Sequence, residues 1–212
     1  MDDEIKENIG SWEVPAVFPE PLWRGHYPGD LTALQEKTLE FLNNSEKLNT
    51  ALEGGRGASS SSEHEMPHMW RESADFYAWL AKPMEEIWTE WGFPKMPPRR
   101  ISKSWANFHP PGAWTKEHTH NRTDQVAVLY LQAPMDCGHL QIMNPLFYHW
   151  ENSPRGPRCS WVDVPIETGD VVIFPGWMLH RSGVNKSELD RMTINTNIVA
   201  HEFPIDFGEA HR

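Results

Sequence analysis

After Pro98 the apolar residues of this chain stop repeating at helical spacing. They fall instead into short runs, at 101–109, 125–132, 139–143, 161–166, 170–174 and 191–199, separated by Pro, Gly and Asn turns. Upstream the period is helical: Leu31, Leu34, Thr38, Phe41 and Leu42 share one face behind an Asp30 cap. From 72 to 91, Phe76, Trp79, Leu80, Ile87, Trp88 and Trp91 form a second stripe, with Pro83 expected to kink or restart the helix and Gly92 to end it. Helices first and many short strands afterwards imply an α+β, mainly β chain whose second half is a β-sandwich or jelly roll. The prolines of "VFPEPLW" restrict that stretch to an edge strand or extended lead-in. "EGGRGASSSSEHEM" reads as a flexible loop near 53–66, a lid or a solvated surface segment, and its His64 and the following His68 read as spectators. The expected organisation is one domain over 1–212, with a helical N-terminal elaboration at 1–98 and a jelly-roll core at 99–203.

Composition narrows the function. A formal charge of -11 on 212 residues works against a nonspecific grip on nucleic acid or an anionic membrane, which leaves small molecules or a protein as partners. Cys137 and Cys159 fit neither a disulfide framework nor a CxxC site. The acidic "MDDEIKENIG" is unlike a signal peptide, and no apolar run approaches the roughly 20 residues of a membrane span, so a cytoplasmic protein is expected. Eleven tryptophans and eighteen prolines suit a broad aromatic core with rigid corners. A homodimer is compatible with the sequence.

Chemistry concentrates in two stretches. In "WTKEHTHNRTDQVAVLYLQ", His118 and His120 are alternate residues of an extended segment and point to the same side. In "ETGDVVIFPGWMLHRSG", a Gly169-Asp170 turn, a buried strand and a Pro175-Gly176 turn lead to His180. A lone histidine would be a hydrogen-bonded core residue, but a pair plus a distant third can bind an ion such as iron(II) on one face and leave other positions open. Asp124 is an alternative third ligand or a partner for a ligand histidine. In the last strand Met192, Ile194, Thr196 and Ile198 take one face, and Arg191, Thr193, Asn195 and Asn197 the other. An ordinary sandwich would turn the polar face to water, whereas a barrel holding a charged cosubstrate turns it inward. Arg191 would then clamp a carboxylate and Thr193 would donate to the same group.

The runs "WANFHPPGAWTKEHTHN", "VAVLYLQAP", "GDVVIFPGWMLHRSGVN" and "DRMTINTNI" resemble the iron(II)/2-oxoglutarate oxygenases of bacteria and of phages of marine bacteria. The resemblance spans 105–198. It implies a double-stranded β-helix, cupin-like, with the N-terminal helices packed outside. It implies a dioxygenase that hydroxylates a C–H bond of a small molecule or amino-acid side chain while 2-oxoglutarate is converted to succinate and CO2, with ascorbate as an accessory reductant. Carried over by position, His118 and His180 become iron ligands, Arg191 and Thr193 the anchor for the far carboxylate of 2-oxoglutarate, and Asn107 a strand residue leaning on the cosubstrate; His109 and Asn195 are expected as further cosubstrate contacts. His109 stands where related branches carry a tyrosine. Most of the superfamily reads H-x-[DE], and His120 in the second position gives a neutral three-histidine set, which should bind metal less well at low pH. Two rival readings remain at this level: a three-histidine cupin dioxygenase that needs no 2-oxoglutarate, and a non-catalytic, metal-stabilised binding module. Trp105, Trp114 and Trp177 could wall a ring or acyl chain, or simply pack.

Overall fold

The computed structural model describes residues 22–44, 52–53, 66–90, 99–145 and 160–200. The expected loop near 53–66, with His64, lies almost wholly outside them, as do Cys159, the start of "VFPEPLW", and the expected helix stop at Trp91 and Gly92. The strands are β1 (Trp23–His26), β2 (Leu52–Glu53), β3 (Arg99–His109), β4 (Trp114–Thr115), β5 (Gln125–Gln132), β6 (Leu140–Met143), β7 (Trp161–Val164), β8 (Asp170–Pro175), β9 (His180–Ser182) and β10 (Arg191–Ala200). Two helices, α1 (Thr32–Asn43) and α2 (Ala74–Glu90), precede the main strand-rich half. No helix among the described residues is long and apolar enough to cross a membrane.

The main sheet has the order β1-β8-β5-β10-β3, every neighbour antiparallel. A smaller sheet, β7-β6-β9, lies opposite, and β2 pairs with β4. This is the double-stranded β-helix, or jelly roll. Its core falls into two layers because strand side chains alternate. Val126, Val128, Tyr130, Val172 and Phe174 face the smaller sheet and meet Leu140 and Ile166. Ala127, Leu129, Leu131, Val171, Ile173, Met192 and Ile194 face the other way, onto Leu34 of α1 and Phe76, Leu80 and Ile87 of α2. With both faces covered, β5 is buried along nearly its whole length, which is why "VAVLYL" is apolar throughout rather than alternating. β10 needs only one apolar face, since Met192, Ile194 and Ile198 join the helix-side core.

Two local expectations change. Helix α2 runs through Pro83 as one element. Proline in a helix interior removes a hydrogen bond and costs about 3 kcal/mol, but buried Phe76, Leu80, Met84, Ile87 and Trp88 anchor the helix on both sides of it. Asp30 stands one residue ahead of the cap of α1, where its carboxylate accepts the backbone N–H (2.9 Å) and hydroxyl (2.8 Å) of Thr32 and fixes the turn into the helix. Across the sheet, the Tyr77 hydroxyl of α2 is hydrogen-bonded to Thr196 Oγ1 of β10 at 2.9 Å.

Candidate metal centre and cosubstrate pocket

His180 opens β9, and its backbone exchanges two hydrogen bonds with His118, at 2.9 and 3.1 Å. Residues so paired across antiparallel chains put their side chains on the same face. His120 is fixed differently: its N–H donates to Gly176 O at 2.8 Å, in the turn after β8. That approach needs a glycine, because a Cβ at 176 would collide with the backbone oxygen of Thr123. The three rings meet, His118 to His180 at 4.3 Å and His120 to His180 at 5.0 Å between centroids.

The hydrogen bonds decide which nitrogen of each ring is free. His118 Nδ1 faces Lys116 O at 2.8 Å, His180 Nδ1 faces Met178 O at 2.8 Å and His120 Nδ1 faces Asn197 Oδ1 at 2.7 Å. An Nδ1 opposite an oxygen acceptor carries the ring proton, so each Nε2 presents a lone pair. His120 Nε2 and His180 Nε2 stand 3.2 Å apart. Two nitrogens bound cis to one ion at about 2.1 Å are separated by roughly 3 Å, so this pair already has ligand spacing. The three histidines form a group whose donor atoms all lie within 4.8 Å of one another and could hold a metal ion. Burial first, and then the neighbouring His118, depress the pKa of His120 to about 4 and of His180 to about 3. Both rings are therefore neutral well into acid, and the weak low-pH binding expected from three ionisable ligands does not come from these two.

Beyond the histidines a cavity of about 320 Å³ runs inward between the sheets to Arg191. Arg191 is 1 % exposed. Its Nη1 donates to Cys137 O and Gly138 O at 2.7 Å each, and its Nη2 to Ser182 Oγ at 2.7 Å. These acceptors converge because the backbone at Gly138, with φ of +84°, touches Gly183, where a Cβ would overlap the Gly183 carbonyl. Among the described residues no carboxylate pairs with Arg191. A buried guanidinium held by neutral acceptors keeps a full positive charge that an incoming carboxylate can pair with. Thr193, Asn107, His109 and Asn195 surround it, all buried and all lining the cavity, so the polar face of β10 does turn inward. Asn195 Nδ2 donates to Thr193 Oγ1 at 3.1 Å, and His109 Nε2 contacts Thr115 Oγ1 at 2.7 Å while its buried Nδ1 has no partner among the described residues. Burial, then the Arg191 charge, hold His109 well below the usual imidazole pKa.

Residues 103–197 match the family model described as "Putative 2OG-Fe(II) oxygenase", a span that takes in the three histidines and Arg191. Over this segment the chain is similar to the 2OG-Fe(II) oxygenase family. The chain is accordingly an oxidoreductase that uses iron(II) and 2-oxoglutarate. Solved structures agree on the fold. A prolyl-4-hydroxylase from Pseudomonas putida superposes with a TM-score of 0.58 at 16% identity, covering 86% of this chain and 94% of that one. The epimerase SnoN from nogalamycin biosynthesis gives 0.61 at 13%, covering 85% and 77%. HygX from Streptomyces hygroscopicus, with nickel and 2-oxoglutarate bound, gives 0.59 at 13%, covering 87% and 84%. No curated protein matches the sequence.

The cavity brings together His118, His120, His180, Arg191, Thr193, Asn107, His109, Asn195 and Trp105, but not Trp114, Trp177 or Asp124. Asp124 lies outside the converging donor group, and its backbone ties the His120 loop to Ile198 and Gly176. Other residues emerge only from the fold. Tyr130 lines the cavity beside Arg191, its hydroxyl pKa raised by burial, and the polar tip inside "VAVLYL" at even spacing from Val126 and Val128 was the signal for it. Ser182, two residues past His180, carries the Arg191 bond. Asn197 holds His120 in its tautomer, and Trp105 stacks on the His120 ring at 5.5 Å and 24°.

Proposed function

We infer that the oxygenase hydroxylates an unreactive C–H bond of a small molecule or amino-acid side chain, with 2-oxoglutarate passing to succinate and CO2. In this reading His118, His120 and His180 hold iron(II) through Nε2, and Arg191 and Thr193 bind the far carboxylate of the cosubstrate. Bound iron supplies the oxidising power; the protein supplies position and exclusion of water. The observation that carries the reading is Arg191: a buried guanidinium with no acidic partner among the described residues, at the closed end of a cavity whose other end presents three imidazole lone pairs. A dicarboxylate offers one acidic group to each of those two ends. Lys116 O, Met178 O and Asn197 keep the ring protons on Nδ1, so no ligand competes with itself for the metal. Val128, Leu140 and the apolar body of Tyr130 along the wall lower the local dielectric around Arg191.

The catalytic unit proposed here is the strand-rich half, with α1 and α2 packed on its outer face as an elaboration of the same domain. The deciding experiment is succinate formation from 2-oxoglutarate with iron(II) and ascorbate, paired with an anaerobic titration of 2-oxoglutarate into the iron(II) protein that follows the metal-to-ligand absorption band. A band that saturates, with succinate released, supports the assignment. Iron uptake without a band would favour the 2-oxoglutarate-independent cupin or the inert module.

A further inference from the structure

The cavity is charged against the sign of its own protein. The chain carries a formal charge of -11, yet the cavity lining includes Lys103, Arg181 and Arg191 and no Asp or Glu among the described residues. The three ligand histidines add no negative charge either. Each cation has a different standing. Arg191 is enclosed at the inner end. Arg181 is engaged, its Nε donating to Gln141 Oε1 at 2.7 Å, its Nη1 3.7 Å from Glu117 and its guanidinium 4.1 Å over the Trp161 ring. Lys103 is exposed, its Nζ 5.7 Å over the ring of Trp105, with no acidic partner among the described residues.

Strand pairing sets the order of these groups. Along β3 and β10 the inward pairs run Arg191 with His109, Thr193 with Asn107, Asn195 with Trp105 and Asn197 with Lys103. The floor of the cavity therefore carries one cation at its closed end and another at its mouth, with Trp105, stacked on His120, between the mouth and the histidines. A molecule that enters on the His120 side meets the Trp105 ring stacked on that histidine, with Lys103 above it. A single ammonium without a helix N-terminus beside it suits a singly charged group better than a phosphate.

Building on the oxygenase reading, we propose that the primary substrate is a carboxylic acid whose carboxylate is taken by Lys103 at the cavity mouth and whose carbon frame lies along Trp105. The neutral metal-ligand set and acid-free walls leave the mouth attractive to an anion even after a 2-oxoglutarate dianion has entered.

The test uses the full chain loaded anaerobically with manganese(II) and saturating 2-oxoglutarate, so that no probe can occupy the Arg191 end. Binding of 3-phenylpropionate, its primary amide and 3-phenylpropylamine is measured by calorimetry or saturation-transfer NMR. The acid should bind tightest and the amine weakest. Lys103→Met should bring the acid to the affinity of the amide, about a fivefold loss as for a good exposed ion pair, and Lys103→Glu should cost about tenfold or more. The affinity for 2-oxoglutarate should stay the same in both variants. The proposal falls if the amide or amine binds as well as the acid, if Lys103→Glu leaves the acid unaffected, or if none of the three binds while 2-oxoglutarate does. Failure of 2-oxoglutarate itself to bind the wild type would instead remove the oxygenase reading, and this proposal with it.

Discussion

At the closed end of the cavity Arg191 is 1 % exposed and its guanidinium is fixed by three backbone carbonyls and a serine hydroxyl, whereas at the mouth Lys103 is exposed and rests on an aromatic face. The same two strands build both ends. The difference lies in what surrounds them: the Gly138–Gly183 contact and the smaller sheet close one end, while solvent borders the other. A group enclosed in this way is preorganised for one ligand of fixed shape, and it binds that ligand with little further ordering. An exposed lysine can follow ligands of different length, with weaker selection. On the proposed assignment, changes at the mouth would alter the substrate while the grip of Arg191 on the cosubstrate stays the same.

The comparison breaks most completely at the junction of the two ends. His180→Ala removes a proposed ligand that is buried and cross-strand paired with His118, so iron binding and turnover should both be lost, as read by iron stoichiometry and succinate release. His120→Asp should keep iron, because a carboxylate can replace an imidazole at that position, and His120→Ala should weaken it. If Asp124→Ala strips the metal and His120→Ala does not, the third ligand is misassigned.

Next in size is the closed end itself. Arg191→Lys keeps the charge and loses the planar fork, so the affinity for 2-oxoglutarate should drop by about 10 to 150-fold, equivalent to roughly 1.5–3 kcal/mol, with iron binding nearly unchanged. The anaerobic band titration measures it. Equal affinity in the variant and the wild type would mean that Arg191 is structural, a brace between Cys137, Gly138 and Ser182 and nothing more.

Much of this was readable before folding, for a physical reason. Period-2 alternation in 191–199 separates Arg191, Thr193 and Asn195 from Met192, Ile194 and Ile198 whatever the tertiary structure, and i, i+2 spacing does the same for His118 and His120. What stayed hidden depends on contacts between segments remote in the chain. Lys103 gains meaning once it is paired with Asn197, and Ser182 once Gly138 and Gly183 bring its loop against Arg191. The smaller sheet is faint because β7 and β9 have four and three residues, too few to show a period. Pro83 does not restart the helix, because packing on both sides overrides the local breaker signal.

A third effect follows from protonation. Burial leaves His120 and His180 with pKa values of about 4 and 3, below the 6.5 of the unfolded chain. Above about pH 6.5 both states are neutral and stability is flat with respect to these groups. As pH falls from there toward 4, the unfolded chain takes up protons that the folded metal-free protein refuses, so stability is lost at up to about 1.4 kcal/mol per pH unit for each ring. Urea midpoints of the metal-free protein between pH 7.5 and 4.5 measure the slope, and His120→Asn should remove part of it. A midpoint that rises on acidification would contradict the burial assigned to these rings.

The smallest effect tests whether the two faces of β10 are independent. Tyr77 on α2 holds Thr196 Oγ1 at 2.9 Å, on the face opposite Asn195 and Asn197. Tyr77→Phe keeps the ring against Phe76 and removes the hydroxyl, and Thr196, itself 1 % exposed, loses that partner. The cost should be about 1 kcal/mol of stability by chemical denaturation, the usual worth of one buried neutral hydrogen bond. The affinities for iron and for 2-oxoglutarate should not move, because alternate side chains of a strand project to opposite sides and the cavity sees only the odd-numbered ones. A loss of cosubstrate affinity in Tyr77→Phe would show that the helix layer sets the position of β10, so that the enclosed end of the cavity owes its rigidity to the outer face of the sheet as much as to the carbonyls around Arg191.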